Sequence, residues 1–448
     1  MDETDNYYIH NAFIVNEGKL FQGDILVKEG KIARIMGKNA LVDDIAMEPG
    51  TRFIDATGLY LLPGGIDEHV HFRDPGLTRK GDFLSESRAA VAGGICSVLD
   101  MPNTLPQTTS IARWEEKQAS AEGRMYTNYA FYLGATNHNL DEITRSDRRK
   151  VAGVKLFLGS STGDMLLSDE TVLHALFQWK GLPFLAHCED ETTIRVNTEK
   201  AKTTYGDDAP FRIHPEIRSR EACLLSSEKA VKMAQQYNAP LHILHVSTVE
   251  ELSLLNADYP EITMEVCPSY LFFNDKDYDK LGCRIKCNPA IKTAADQEAL
   301  LQALQHNRFR CIGSDHAPHS WDEKDRPYFQ SPSGMPMVAH TLPLLLELVW
   351  EKKLKMVQVA ELLSHGPASL LGICRKGYIR EGYDADLVLV EMNEAPSSAD
   401  IPYRCGWSPL EGRRLHGRIH STFVNGKCVY RLGKFADKAE GKPMEFDR

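Results

Sequence analysis

The sequence of 448 residues has no C-x-x-C pair among its ten cysteines, no internal repeat and no low-complexity tract. No apolar run approaches the roughly 20 residues needed to cross a bilayer. The longest candidate, Leu342 to Trp350, is broken by Pro343 and Glu347. Positive charge is also short: 52 Lys+Arg stand against 62 Asp+Glu, a net charge of −10, with no basic run dense enough to neutralise a row of phosphates. Nucleic acid and membrane are therefore not expected as partners. The opening Met1-Asp2-Glu3-Thr4-Asp5 is acidic where a secretory leader is basic. Cys283 and Cys287 are the two nearest cysteines, and several others sit in apolar runs, so they read as reduced core residues of a cytoplasmic protein. The 42% hydrophobic and 25% charged content is that of an ordinary globular chain, which excludes disordered and fibrous classes.

What is present divides the chain in three. Asp24 to Ile35 is two β-rich runs around Glu29-Gly30, the pattern of a hairpin. Ala385 to Val390 and His420 to Tyr430, the latter around Asn425-Gly426, repeat that character near the other end. Between the two β-rich ends, eight apolar strand-like runs alternate with helix-length segments: Ile66 to His71, Ser97 to Met101, Asn128 to Leu133, Val154 to Leu158, Pro183 to His187, Leu241 to His245, Ile262 to Cys267 and Cys311 to Asp315. Arg218 to Tyr237 illustrates the helices, with Ala222, Leu225, Ala230 and Met233 at helical spacing. Eight strands over about 310 residues predict an α/β fold, a (β/α)8 barrel over residues 61–375. The ends, 1–60 and 376–448, are expected to form one small, discontinuous β domain.

The metal-competent residues fall mostly at the carboxyl ends of these strands, the end of a barrel that carries the active site. His69 and His71 in Asp67-Glu68-His69-Val70-His71-Phe72-Arg73 share one face of an extended strand and form a chelate, and continued alternation would add Arg73. Lys155 lies inside the apolar run Val154 to Leu158. It must snorkel, shift its pKa, find a counter-charge, or react with CO2 to become a bridging carboxylate. His187 ends the fifth strand. His242 and His245, three apart on the sixth, should face opposite sides, with His245 inward and His242 against the helical layer. Asp315 ends the eighth strand, where one oxygen can bind metal and the other can carry a proton. Together, His69, His71, Lys155, His187, His245 and Asp315 suit two divalent ions about 3.5–4 Å apart and metal-assisted hydrolysis.

These residues resemble the metal-dependent amidohydrolase superfamily over nearly the whole chain, including the split β domain, which by that resemblance is a β-sandwich. Asp67 to Gly76, and Gly313-Ser314-Asp315-His316-Ala317-Pro318-His319 followed by Lys324, are similar to dihydroorotase signatures. So are Met101-Pro102-Asn103-Thr104 and Lys286-Cys287-Asn288-Pro289. The resemblance implies zinc at His69, His71 and Asp315, a second zinc at His187 and His245, and carboxylated Lys155 and a hydroxide bridging the two ions. It implies that Arg73, Asn103 and His319 hold the carboxylate of dihydroorotate, with Asn288 also in the substrate-binding set, and that Asp315 moves the proton. The implied reaction is reversible hydrolysis of (S)-dihydroorotate to N-carbamoyl-L-aspartate, a step of pyrimidine biosynthesis. A homodimer and docking with a carbamoyltransferase are partners of the same kind of expectation.

Hydantoinases and dihydropyrimidinases are the main alternative, but they commonly lack the arginine two residues beyond His-x-His and the Ala-Pro-His after the aspartate. Allantoinases differ in that last segment. Members that act as non-catalytic scaffolds have lost metal ligands, whereas all six positions are filled here. This chain departs from the dihydroorotase pattern at Glu68, expected by alternation to point away from the metals, and at Pro268-Ser269-Tyr270. Gly159 to Asp164 reads as a lid rich in small residues, with Ser161 or Thr162 as its substrate contact.

Overall fold

The computed structural model describes residues 6–37, 50–159, 165–398 and 400–448. Its first strands are β1 (Asn6–Asn16), β2 (Lys19–Lys28), β3 (Lys31–Gly37), β4 (Thr51–Asp55) and β5 (Tyr60–Pro63). Glu17-Gly18 and Glu29-Gly30 both place two successive residues at positive φ, the geometry of a tight hairpin turn matched to strand twist. The Glu29-Gly30 hairpin brings Val27 opposite Ile32 and Lys28 opposite Lys31.

Eight parallel strands follow: β6 (Gly65–Val70), β7 (Ile95–Asp100), β8 (Asn128–Phe131), β9 (Leu133–Gly134), β10 (Val154–Phe157), β11 (Phe184–His187), β12 (Leu241–Ile243) and β13 (Ile262–Met264). β6, β7 and β8 form one sheet, and β9 to β13 form another in sequence order. Only Tyr132 separates β8 from β9, so a single stretch of chain passes from one sheet to the other. At the far margin, parallel bridges Glu265↔Cys311 and Val70↔His316 lead from just beyond β13 back to β6. The pairings thus run in a circuit. The run Cys311 to Asp315 enters it through single bridges and not as a continuous strand, because Asp315 is left-handed with φ 46° and interrupts the extended backbone.

Helices cover the outside of these strands. The helix Phe83–Ala92 begins with a capping box at Asp82 and Ser85. The helix Arg220–Tyr237 is capped by Ser219, whose hydroxyl accepts from the Ala222 N–H. It buries Ala222, Ser226, Ala230 and Met233, but Leu225, expected in that stripe, is 47% exposed. Among the described residues, no helix is long and apolar enough to cross a membrane.

The last strands are β14 (Leu387–Ser398), β15 (Arg414–Val424), β16 (Lys427–Arg431) and β17 (Lys434–Phe435). β14 pairs antiparallel with β5, Leu387 opposite Pro63, and joins both chain ends into one nine-stranded sheet of order β17-β16-β15-β14-β5-β1-β2-β3, with β4 against β1. Hydrogen bonding follows one continuous path through this sheet. The sheet curls, bringing Tyr7 of β1 edge-on to Phe423 of β15 at 5.2 Å between ring centroids. Beyond β17 the chain leaves this sheet: Pro443 bridges Tyr129 and Phe446 bridges Ile373. Phe446 is fully buried with Ile66, Leu99 and Ala152 inside the parallel strands.

Candidate active site

His69 lies in β6 and His71 one residue past its end; Lys155 lies in β10, His187 closes β11, and His245 and Asp315 follow β12 and the Cys311 bridge. All six side chains line one cavity of about 510 Å³, together with Arg73, Lys80, Asn103, Asn288 and His319. His69 Nε2 and His71 Nε2 are 3.3 and 3.2 Å from the same Asp315 oxygen, Oδ1. His187 Nδ1 faces His245 Nε2 at 2.9 Å. Lys155 Nζ lies 4.8 Å above the Phe157 ring and is buried.

The outward-facing nitrogens of His69, His71 and His187 are committed elsewhere. His69 Nδ1 is 2.6 Å from Glu265 Oε1, and His71 Nδ1 is 2.6 Å from Asn103 Oδ1. Each contact makes Nδ1 the donor and leaves Nε2 with a lone pair toward Asp315. His187 Nε2 meets Glu189 Oε2 at 2.9 Å, and Arg218 Nη1 donates to that same oxygen. Asn103, expected at the substrate carboxylate, thus uses its oxygen to orient His71.

Three of the cavity residues are left-handed: Arg73 at φ 70°, His245 at 41° and Asp315 at 46°. Such backbone costs of order 1–3 kcal/mol per residue and persists where the surroundings over-determine it. At His245 it overturns the alternation argument. β12 ends at Ile243, the backbone turns at His245, and both histidines face the interior. His242 is not packed against the helical layer: its Nε2 is 3.5 Å from Cys311 Sγ and 3.6 Å from Glu265 Oε2. A register shift in β6 between Asp67 and Val70 has a similar effect. Glu68 stays out of the cavity, yet it points inward beneath it, with Cys311 Sγ donating to its Oε1 at 2.8 Å.

The electrostatics follow from burial among opposed charges. Burial would raise the Asp315 carboxyl, but His69, His71 and His245 hold it well below the usual carboxylate range. Burial lowers His71 to about 4 against the pull of Asp315, and it also lowers His187 and His245. It brings the Lys155 ammonium down to about 8 despite Asp315 and Glu265 nearby. Arg73 is lowered by burial to about 10, and its hydrogen-bond partners are neutral: Nε donates to Pro318 O at 3.1 Å, and Nη2 lies 3.2 Å from His319 Nε2. Burial and then the charge of Arg73 push His319 well below its ordinary value.

Sequence reasoning did not reach Glu265, Glu189, Arg218, Lys80 or Trp407. Lys80 Nζ is 3.2 Å from His319 Nδ1, and Trp407 Nε1 donates to His319 O at 2.7 Å. Glu265 carried the same signal as Lys155, a charge inside an apolar strand run. Tyr270 lies outside the cavity and donates to Pro289 O at 2.8 Å. Ser161 and Thr162 lie outside the described residues.

A family model described as the amidohydrolase family matches residues 60–429. The chain belongs to the amidohydrolase family. It is 33% identical over 421 residues to a dihydroorotase of Methanosarcina acetivorans, covering 90% of this chain and 88% of that one. It is 31% identical over 444 residues to an allantoinase of Deinococcus radiodurans, covering 97% of each. Among solved structures, the L-hydantoinase (dihydropyrimidinase) of Arthrobacter aurescens matches with a TM-score of 0.93 and 26% identity, over 98% of this chain and 99% of that one. All three are cyclic amidohydrolases, and this chain is of that enzyme class. Amidohydrolases are typically metal-dependent, and His69, His71 and Asp315 form a group able to hold a metal ion.

Proposed function

We propose that this amidohydrolase is a zinc-dependent dihydroorotase, interconverting (S)-dihydroorotate and N-carbamoyl-L-aspartate for pyrimidine synthesis. The observation that carries the reading is Arg73: a buried guanidinium on the cavity wall whose hydrogen-bond partners are neutral, with His319 and Lys80 beside it. Asp315 and Asp100 act on that charge at longer range, but its hydrogen-bond partners are neutral, and a substrate carboxylate can accept its fork. The proposed frame is a closed (β/α)8 barrel over residues 61–375, carrying a small β domain from 1–60 and 376–448. In our reading the protein is cytoplasmic and works as a homodimer or beside a carbamoyltransferase.

The donor chemistry fits two divalent ions. His69 and His71 Nε2 converge on Asp315, His187 Nδ1 and His245 Nε2 face each other, and Lys155 shares the cavity with both groups. The lowered Lys155 ammonium supplies the free amine that reaction with CO2 requires, giving a carboxylate between the two groups. The ions would acidify a water near neutral pH and polarise the ring carbonyl. Asp315, kept ionised by its histidine neighbours, takes the proton of the attacking water and delivers it to the ring nitrogen as the C–N bond breaks. Arg73 and His319 fix the carboxylate, and Asn103 and Asn288 bound the ring from neighbouring walls.

Turnover of dihydroorotate, dihydrouracil, hydantoin and allantoin by the zinc-loaded enzyme tests the proposal. Dihydroorotate should lead in kcat/KM; preference for any uncharged ring overturns the substrate choice and leaves the metal chemistry standing.

A further inference from the structure

Beneath the catalytic cavity lies a second polar cluster for which hydrolysis has no use. Glu68, Glu265 and Cys311 are fully buried and His242 is 1% exposed. One candidate ligand atom from each lies within 4.8 Å of all the others. We propose that Glu68, His242, Glu265 and Cys311 bind a further divalent ion of zinc type, separate from the pair assigned to the cavity and sharing no ligand with it.

Three independent features point there. The first is spacing: His242 Nε2 stands 3.5 Å from Cys311 Sγ and 3.6 Å from Glu265 Oε2. With zinc–sulfur bonds near 2.3 Å and zinc–nitrogen or zinc–oxygen bonds near 2.0–2.2 Å, the edges of a tetrahedral site measure about 3.3–3.6 Å. The second is unmet need, since Glu68 Oε2 and Glu265 Oε2 are buried and have no hydrogen-bond partner. The third is orientation: His242 Nδ1 lies 2.8 Å from Thr263 Oγ1, which fixes the ring with Nε2 turned into the cluster, as metal-bound histidines are commonly held.

Charge argues the same way. Two carboxylates side by side in the interior require a compensating cation or a proton. The thiol of Cys311 now donates to Glu68 Oε1 at 2.8 Å, and that proton is the one a metal would displace on forming the thiolate. The ion's role is structural. Glu265 would bind it through Oε2 while Oε1 continues to accept from His69 Nδ1 at 2.6 Å and from the His245 N–H at 2.9 Å. It would thereby pin the carboxylate that orients one ligand of each catalytic ion.

The test is cobalt loading of the full chain, with metal counted by mass spectrometry and the near-ultraviolet thiolate-to-cobalt charge-transfer band recorded. The wild-type chain should hold three ions and show the band; Cys311→Ser should hold two and lose it. Lys155→Ala, which disturbs only the cavity pair, should keep the band, so failure of the catalytic assignment is distinguishable from failure of this one. Should Cys311→Ser not fold, Cys311→Ala, smaller and free of the Glu68 contact, takes its place. A wild-type chain that saturates at two ions without the band, or a band that survives removal of Cys311, overturns the proposal and leaves a proton shared between Glu68 and Glu265.

Discussion

Arg73 carries its charge into a buried wall with no acid as hydrogen-bond partner, so its removal is expected to be felt by substrate and not by fold. Charge-assisted hydrogen bonds contribute about 1.5–3 kcal/mol, which corresponds to about 10- to 150-fold in affinity. Arg73→Ala should raise KM for dihydroorotate by that order with bound metal unchanged; steady-state kinetics and metal analysis check both. Lys155→Ala should abolish turnover and lower metal content, and a short carboxylic acid added to the assay should restore part of the rate. The lowered Lys155 pKa also sets a pH dependence. With the folded value near 8, the amine is about half free at pH 8 and about 1% free at pH 6. Reconstitution of metal-free enzyme with zinc, at fixed dissolved CO2, should therefore slow about tenfold per pH unit below 8. A rate independent of pH would show that the amine is not the reacting species.

At the scale of elements, burial decides which substitutions register. Ser219→Ala removes the cap of the helix Arg220–Tyr237 and should cost about 1 kcal/mol in denaturant unfolding. Leu225→Ala on the same helix, at an exposed position, should stay within about 0.5 kcal/mol. The elements were largely legible in the sequence. Glu-Gly and Asn-Gly pairs marked hairpins because two positive-φ residues are required there, and six of the eight apolar runs became continuous strands, with a seventh split into β8 and β9 at Tyr132. The misplacements around the site share one physical cause. A side-chain period of two holds only for unbroken extended backbone, and the chain breaks it where the site is built: at His245, at Asp315, and in β6 between Asp67 and Val70. Left-handed backbone at histidine or aspartate leaves no compositional mark. Hence His242 was misplaced, and Glu68, outside the cavity as expected, turns inward against Cys311, while the residues brought into the cavity were recognised by their chemistry.

For the whole molecule, the last residues matter more than their sequence suggests. The segment after β17 has no periodic pattern to announce its return, yet Phe446 is fully buried among Ile66, Leu99 and Ala152, and Arg448 donates to Ala152 O at 2.8 Å. Phe446→Ala should destabilise the fold by about 3–5 kcal/mol, read as a lower denaturant midpoint with an unchanged slope. The pairing of β5 with β14 has its own consequence, in time. Pro63 meets Leu387, so roughly 320 residues must be synthesised before β5 acquires that neighbour. At about 5–20 residues per second, a nascent chain would carry an open strand edge for roughly 15–60 seconds. Expression at lower temperature or with abundant chaperone should accordingly raise the soluble yield, because an unpaired edge invites association with other chains before its own partner exists.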